Sequence, residues 1–200
     1  MATAEQIMKK KQFIKSEMDK ALPNSDELWS KSTERLSDIL TTYSHLPKEE
    51  RLHPEGYIFP SAAIYLTLKE AVGQEKAYGV IEGAAIKLTL DTGNKLRKAL
   101  KIPGFRSFFV WVWGPMTKKM FGPSRGFQNV FYPKVKGEYR MDITACPYNR
   151  YFTELGCSEL TKIFCDNDER CYGDLPGLKF IRTSTLGKGG DRCDFYLKKE

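Results

Sequence analysis

Three cysteines in the second half of the chain are the residues best suited to covalent chemistry. Cys146 follows a predicted strand, Cys165 lies in a predicted helix, and Cys193 opens the last predicted strand. If the ends of these elements meet, a thiolate there would serve as a nucleophile or a metal ligand. Each cysteine also suits a buried core, because a free thiol behaves as a small hydrophobic group. The other two, Cys157 and Cys171, are interpreted as incidental.

The spacing of the candidate ligands favours a site without metal. Structural zinc sites usually take their ligands in close pairs, whereas long intervals separate these cysteines. His45 and His53 form no metal-like pair either. Asp166 and Asp168 resemble the start of a calcium loop, but Arg170 occupies the place of the third oxygen ligand. We predict no metal and no cofactor, with zinc as the alternative that stays open.

The segment 182–193 is the most unusual stretch of the chain. Gly189-Gly190 after a strand would suit a phosphate-binding loop, but no helix follows to complete such a site. A β-hairpin turn is the simpler interpretation of the two glycines. Alternatively, an inward-facing Arg182 would pair with a substrate carboxylate, and Thr183 and Thr185 would donate hydrogen bonds beside it.

Composition limits the classes of protein to which the chain can belong. Its 200 residues are 41% hydrophobic and 28% charged, which predicts one folded domain and excludes a disordered or collagen-like chain. The net charge is +7, but the basic residues are scattered and no nucleic-acid-binding motif is present. We therefore predict no nucleic-acid partner.

The sequence shows no pattern that is typical of a targeting signal or of a membrane span. No apolar segment follows Lys9-Lys10-Lys11 as it would in a signal peptide, which predicts a cytoplasmic protein with reduced thiols. The most apolar stretch, Phe105–Phe121, is interrupted by Gly114-Pro115 and by lysines, so no membrane association is expected.

The first 120 residues have helical periodicity. Ile7, Ile14, Met18 and Leu22 predict a first helix that ends at Pro23. Asn24 with Glu27 predicts a capping box for the second helix. The segment Thr41–Gly56 is predicted to be a loop, and three further helices are expected at Pro60–Val72, Gln74–Leu100 and Phe105–Met120.

The remainder alternates between strand and helix patterns. Strands are predicted at Gln128–Val135, Tyr139–Ala145, Leu178–Thr185 and Arg192–Leu197, with helices at Tyr148–Leu155 and Ser158–Arg170. The predicted fold class is α+β, in which N-terminal helices precede an antiparallel sheet of about four strands interrupted by a helical pair.

Short motifs in the C-terminal third carry a family resemblance. The sequence resembles the L-2-amino-thiazoline-4-carboxylic acid hydrolase family from about residue 60 to the end. The matching segments are Cys146-Pro147-Tyr148, Glu154-Leu155-Gly156, Phe164-Cys165 with Asp168, Arg182-Thr183 with Thr185, Gly189-Gly190-Asp191 and Cys193-Asp194-Phe195. We therefore expect a single domain over 1–200, made of a helical N-terminal extension (1–60) and a hydrolase-like α+β region (61–200).

The same C-terminal order is also similar, more faintly, to 4-vinyl-reductase-type small-molecule-binding domains. Sensor members of that group hold zinc with a Glu-x-x-Cys pair and a later cysteine. Arg182 and Thr185 stand at the places of the glutamate and the first cysteine, while Cys193 matches the later one. The exchange removes two ligands and adds a positive charge, which favours an anion pocket over zinc.

The family resemblance implies a hydrolase that opens a cyclic amidine-type C–N bond of a small, anionic heterocyclic carboxylate, giving an N-carbamoyl-cysteine-type product. Cys146 or Cys193 would attack the amidine carbon or activate water. Arg182 would hold the substrate carboxylate and favour the thiolate form of a neighbouring cysteine.

Polar neighbours are assigned to supporting roles. Thr185 is a catalytic candidate that would donate a hydrogen bond, as would Tyr148, with Thr183 beside the substrate. Asp168 or Asp194 would be the acid or base, although either residue also suits a helix cap or an ion pair.

Two other functions remain open at this stage. One is a non-catalytic small-molecule-binding or sensor module, which the aromatic richness of residues 105–132 would suit. The other is an enzyme of the same fold that acts on a different heterocycle. The sequence does not specify an oligomeric state.

Overall fold

A computed structural model describes residues 2–200 and shows helices in the first half of the chain and a sheet in the second. The helices are α1 (Ala4–Met8), α2 (Gln12–Ala21), α3 (Ser25–Thr42), α4 (Phe59–Val72), α5 (Gln74–Ala99), α6 (Phe105–Phe121), α7 (Pro147–Glu154) and α8 (Leu160–Tyr172). The strands are β1 (Gln128–Phe131), β2 (Glu138–Ala145), β3 (Leu178–Ile181) and β4 (Cys193–Lys199). This arrangement confirms the predicted α+β class, including the helical pair between β2 and β3.

The helix α4 lies at the centre of the helical layer and packs against both α3 and α5. Four consecutive residues of α4 are fully buried, namely Ala62, Ala63, Ile64 and Tyr65. The two alanines are small and let the neighbouring helices approach closely. One apolar core joins side chains of α1–α5 to side chains of α7 and α8. The helices that precede residue 60 therefore share a core with the elements that follow it.

The start of the second long helix differs from the prediction. The proposed capping box of Asn24 and Glu27 is wrong, because the Asn24 side chain makes no capping hydrogen bond. Glu27 pairs instead with Lys31 one turn later. A capping box does form at α1, where the side chains of Thr3 and Gln6 each accept from the other's backbone N–H.

The predicted loop Thr41–Gly56 is shorter in the structure. Helix α3 continues to Thr42, and a π-helical turn, Pro54–Ile58, leads without interruption into α4. Pro54 is compatible with this turn because it stands at its first position, where no backbone donor is needed. Helix α4 consequently begins at Phe59 rather than at Pro60.

The four strands form one antiparallel sheet in the order β1-β2-β4-β3. In the β2–β4 register, Met141 stands opposite Phe195 and Ile143 opposite Cys193. All four side chains are buried on the same face, which is turned toward the helices. Strand alternation sends Asp194 to the other face.

Two strands end earlier than predicted. Strand β1 ends at Phe131 rather than Val135, shortly before Pro133, which has no backbone donor for the sheet. Strand β3 ends at Ile181 rather than Thr185. The Asp194 carboxylate accepts the backbone N–H groups of Thr183 and Ser184, which a continuing strand would need for pairing. Among the described residues, no helix is long and apolar enough to cross a membrane.

Candidate active site

A cavity of about 250 Å³ lies between the inner face of the sheet and the helices. Most of its lining is apolar or aromatic; one group of polar side chains lies near the end of β3, the start of β4 and α8, and Lys11 and Thr117 lie on other walls. The side chains that define its walls are Lys11, Phe13, Tyr57, Ile81, Leu88, Trp113, Thr117, Phe121, Phe127, Met141, Ile143, Cys146, Tyr148, Phe164, Cys165, Asp168, Tyr172, Arg182, Cys193 and Phe195.

Five of the residues predicted from sequence line this cavity together: Cys146, Tyr148, Asp168, Arg182 and Cys193. They come from the end of β2, the start of α7, the middle of α8, the end of β3 and the start of β4. The predicted convergence of late elements therefore occurs, and it places two thiols, a phenol and an ion pair around one space.

Two thiols, those of Cys165 and Cys193, are close enough to share a hydrogen bond. That bond is the largest cause that lowers the pKa of Cys193 below its ordinary value; burial opposes it, and the Leu186 amide and Arg182 lower the pKa further. The Leu186 N–H donates to the Cys193 sulfur at 3.3 Å. As the donor of the pair, Cys165 has its pKa raised well above the ordinary value. Of the two thiols, Cys193 is thus the one whose surroundings favour the thiolate.

The third thiol at the cavity, that of Cys146, differs from Cys193 in its protonation state. It is the N-cap residue of α7, where its side chain closes no capping hydrogen bond. Burial raises the pKa of Cys146 to about 12, although the amide groups of Asn149 and Tyr148 offset part of this effect. Cys146 therefore stays protonated at neutral pH, and it is the weaker nucleophile of the two.

The Arg182 side chain is hydrogen-bonded to residues of α8. Its Nη1 donates to the Asp168 carboxylate at 2.6 Å and to the Cys165 carbonyl at 3.1 Å. The guanidinium also lies over the Phe195 ring, 4.4 Å from its centroid. Burial raises the pKa of Asp168, and the contact with Arg182 counteracts that effect. The positive charge of Arg182 is therefore balanced by a carboxylate within the protein.

Tyr148 is oriented by a residue to which the sequence analysis assigned no role. His53 is almost fully buried, and its Nε2 lies 2.6 Å from the Met120 carbonyl while its Nδ1 lies 3.0 Å from the Tyr148 hydroxyl. A carbonyl only accepts, so Nε2 carries the proton and neutral Nδ1 accepts the Tyr148 O–H. Burial lowers the pKa of His53, which keeps the ring neutral and able to accept.

Three predicted site residues do not reach the cavity. Thr183 and Thr185 line a separate polar depression, which is formed by residues 182–185 and 188–190 together with Glu169. The Thr185 hydroxyl is buried there without a hydrogen-bond partner among the described residues. The Asp194 side chain caps the end of β3 through Thr183, whose hydroxyl donates to it at 2.6 Å.

The turn Leu186–Lys188 before β4 packs directly against the thiol pair. A Cβ atom added to Gly187 would lie 2.7 Å from the Cys165 sulfur and 2.9 Å from the Thr161 Cγ2 atom. Only glycine lets the segment Leu186–Lys188 approach this closely, and the same approach brings the Leu186 amide to Cys193. The glycines of the 182–193 segment thus serve the site through backbone proximity.

Two residues of the site were missed by the sequence analysis: His53, which contacts Tyr148, and Lys11, which lines the cavity. His53 adjoins Pro54 in a predicted loop, and neither feature indicated burial. Lys11 is the third of three lysines, of which only this one is buried. Among residues 2–200, no group of three or more His, Cys, Asp or Glu side chains is arranged to hold a metal ion.

Comparison with known proteins gives a match to one family model. Residues 51–197 match the model described as L-2-amino-thiazoline-4-carboxylic acid hydrolase. The match includes all the late elements that surround the cavity as well as His53, and it begins after Lys11. No curated protein and no solved structure matches the chain.

Proposed function

The chain belongs to the L-2-amino-thiazoline-4-carboxylic acid hydrolase family, and we propose that it hydrolyses a small cyclic amidine through Cys193 as the nucleophile. One observation carries the proposal: the Cys193 sulfur lines a largely apolar cavity and accepts the Leu186 N–H, and its surroundings lower its pKa. Catalytic thiols need this combination of access and a lowered pKa.

The substrate class follows from the family and from the size of the cavity. A space of about 250 Å³ suits a five-membered heterocycle with one substituent better than a drug-sized ligand. The Asp168 carboxylate at the cavity wall is a suitable partner for the N–H groups of a protonated amidine. That contact would increase the electrophilic character of the amidine carbon and hold it near Cys193.

The reaction proceeds in two balanced steps. The Cys193 thiolate adds to the carbon of the protonated amidine, the ring C–S bond breaks, and the ring sulfur leaves as a thiolate. Water then adds to the same carbon, the bond to Cys193 breaks, and a urea is released. An N-carbamoyl-cysteine-type product keeps both nitrogens on that carbon, so the bond that opens is C–S rather than the C–N bond first expected.

Arg182 and the pair Tyr148–His53 have distinct roles in these steps. Arg182, held by Asp168, stabilises the thiolate of Cys193 before attack and after its release. In the second step the Tyr148 oxygen accepts a proton from the attacking water while its own proton passes to Nδ1 of His53. His53 returns that proton through the Tyr148 hydroxyl to the product thiolate formed in the first step, and the second proton of the water passes to solvent when the protonated urea becomes neutral.

A second candidate function is a binding module for a small aromatic or heteroaromatic acid. The observation that favours it is the number of aromatic side chains in the cavity wall, contributed by α6, α8, the sheet and the π-helical turn. Such a module would bind its ligand saturably and release it unchanged. The two candidates are therefore separated by product formation rather than by affinity.

The test is turnover of L-2-amino-thiazoline-4-carboxylate by the full chain, with the product identified by mass spectrometry in ¹⁸O-labelled water. We expect one labelled oxygen in the product and loss of at least about 1,000-fold in kcat for Cys193→Ala, which removes the nucleophile. Cys171→Ala is the matched control, since Cys171 is buried but does not line the cavity. Ligand binding without any product would favour the binding module.

A further inference from the structure

The cavity contains one buried cation that no carboxylate neutralises. Lys11 lies in the short 3₁₀ turn Lys9–Lys11 that links α1 to α2, and it is 8% exposed. Among the described residues, no Asp or Glu oxygen comes within 4.0 Å of its Nζ atom, whereas Arg182 is paired with Asp168. The unbalanced positive charge in the cavity therefore belongs to Lys11.

The local contacts of Lys11 hold the ammonium group without using up its donors. Nζ donates to the carbonyl of Gly56 in the π-helical turn. It also lies 4.8 Å from the ring centroid of Tyr57 and 5.9 Å from that of Phe13. An ammonium group has three N–H donors, so two remain for a ligand in the cavity. Aromatic faces attract a cation but do not satisfy those donors.

We propose that Lys11 is the binding residue for the carboxylate of the substrate, and that the N-terminal helices thereby determine the specificity of the cavity. This proposal rests on the proposed function, because that function names the substrate. It adds to the binding site a residue that lies outside the matched residues 51–197. The amidine end of the ring lies at Asp168 and Cys193, and the carboxylate lies at Lys11.

Burial disfavours the charged form of Lys11, and a bound anion would have the opposite effect. Burial lowers the pKa of Lys11 to about 8, and the neighbouring Lys10 adds to this effect. The group is still mostly protonated at pH 7, and a bound carboxylate would favour the protonated form further. A ligand without an anionic group would leave the ammonium desolvated and would bind less well.

The kinetic test compares Lys11→Met with wild type on two compounds: L-2-amino-thiazoline-4-carboxylate and 2-amino-thiazoline without the carboxylate. We expect KM for the carboxylate to rise about 10- to 100-fold with little change in kcat, and the values for the second compound to stay within about twofold. Lys10→Met is the matched control, because Lys10 is exposed in the same turn. Equal losses on both compounds, or no change on either, would overturn the proposal.

A second measurement uses the wild-type protein and needs neither turnover nor a folded variant. Thiazolidine-4-carboxylate and its carboxamide are compared as ligands, and reductive methylation of Lys11 is followed by peptide mass spectrometry. We expect the carboxylate to bind more tightly and to protect Lys11, whereas the amide does not. Equal binding of the two compounds, or no protection, would overturn the proposal.

The outcomes for Lys11 and for the reaction are separable. Protection of Lys11 without any turnover of the amino-thiazoline would remove the proposed reaction and leave Lys11 as the anion-binding residue. Turnover with an unchanged KM in Lys11→Met would leave the reaction and remove the role of Lys11.

Discussion

Replacing Cys165 by alanine removes the hydrogen-bond donor that contributes most to the low pKa of Cys193. The Leu186 amide and Arg182 still favour the thiolate in this variant, while burial opposes it. We therefore expect the pKa of Cys193 to rise from its lowered value toward the ordinary value of 9.0. Because the donor is the largest cause, the rise should be about one to two pH units.

The assay is the pH profile of alkylation at Cys193 by iodoacetamide, measured by peptide mass spectrometry. Because its pKa is lowered, a larger fraction of Cys193 is thiolate at pH 7 in wild type than in Cys165→Ala. A more basic thiolate is intrinsically more reactive, so the rate at pH 7 falls only several-fold. The midpoint of the profile is therefore the decisive quantity, and it moves to higher pH.

Two variants control this experiment. Cys165→Ser keeps a donor on the side chain and should shift the midpoint less than alanine does. Cys171→Ala removes a thiol that does not line the cavity and should shift nothing. If the midpoint of wild type lies near 9, or if Cys165→Ala leaves it unchanged, the assignment of Cys193 as the stabilised thiolate is refuted.

Three further predictions concern the surroundings of the thiol pair. Gly187→Ala should destabilise the fold by about 1–3 kcal/mol in urea denaturation and raise the alkylation midpoint of Cys193, because its Cβ would lie 2.7 Å from the Cys165 sulfur; Gly79→Ala, which meets no atom within 4 Å, should do neither. Asp168→Asn leaves a buried guanidinium without its counter-charge and should cost about 3–5 kcal/mol by the same measurement; no loss would show that the ion pair is not stabilising. Tyr148→Phe should lower kcat about 10- to 100-fold with the fold retained, and an unchanged kcat would contradict the proton path through His53.

The elements of the fold were largely predictable because their signals are local. Helix α5 was expected at Gln74–Leu100 and ends at Ala99, since Pro103-Gly104 lies just beyond its apolar repeat. Strand β2 followed from the alternation of Tyr139, Met141 and Ile143 with polar residues. Predictions that depended on one side-chain contact, such as the cap at Asn24, were less secure, because other partners compete for that contact.

The cavity was predictable in part, and the limits have physical causes. Four of its five predicted residues adjoin the ends of late elements, which strand order brings to one place, and the fifth, Asp168, lies within α8. Asp194 could have been excluded by period-two alternation, since neighbours in a strand face opposite sides. The pairing of Cys165 with Cys193 and the burial of Lys11 depend on how distant elements pack, which no local pattern in the sequence encodes.

The central claim is that Cys193 forms a covalent intermediate with the amidine carbon. The most direct measurement is an acid quench of wild-type protein mixed with excess L-2-amino-thiazoline-4-carboxylate in the first turnovers, followed by intact-mass and peptide analysis. Ring opening releases no fragment, so we predict an adduct equal to the protein plus one whole substrate, located on Cys193 and absent from Cys193→Ala. Product formation with no adduct on Cys193, or with undiminished turnover by Cys193→Ala, would contradict the account.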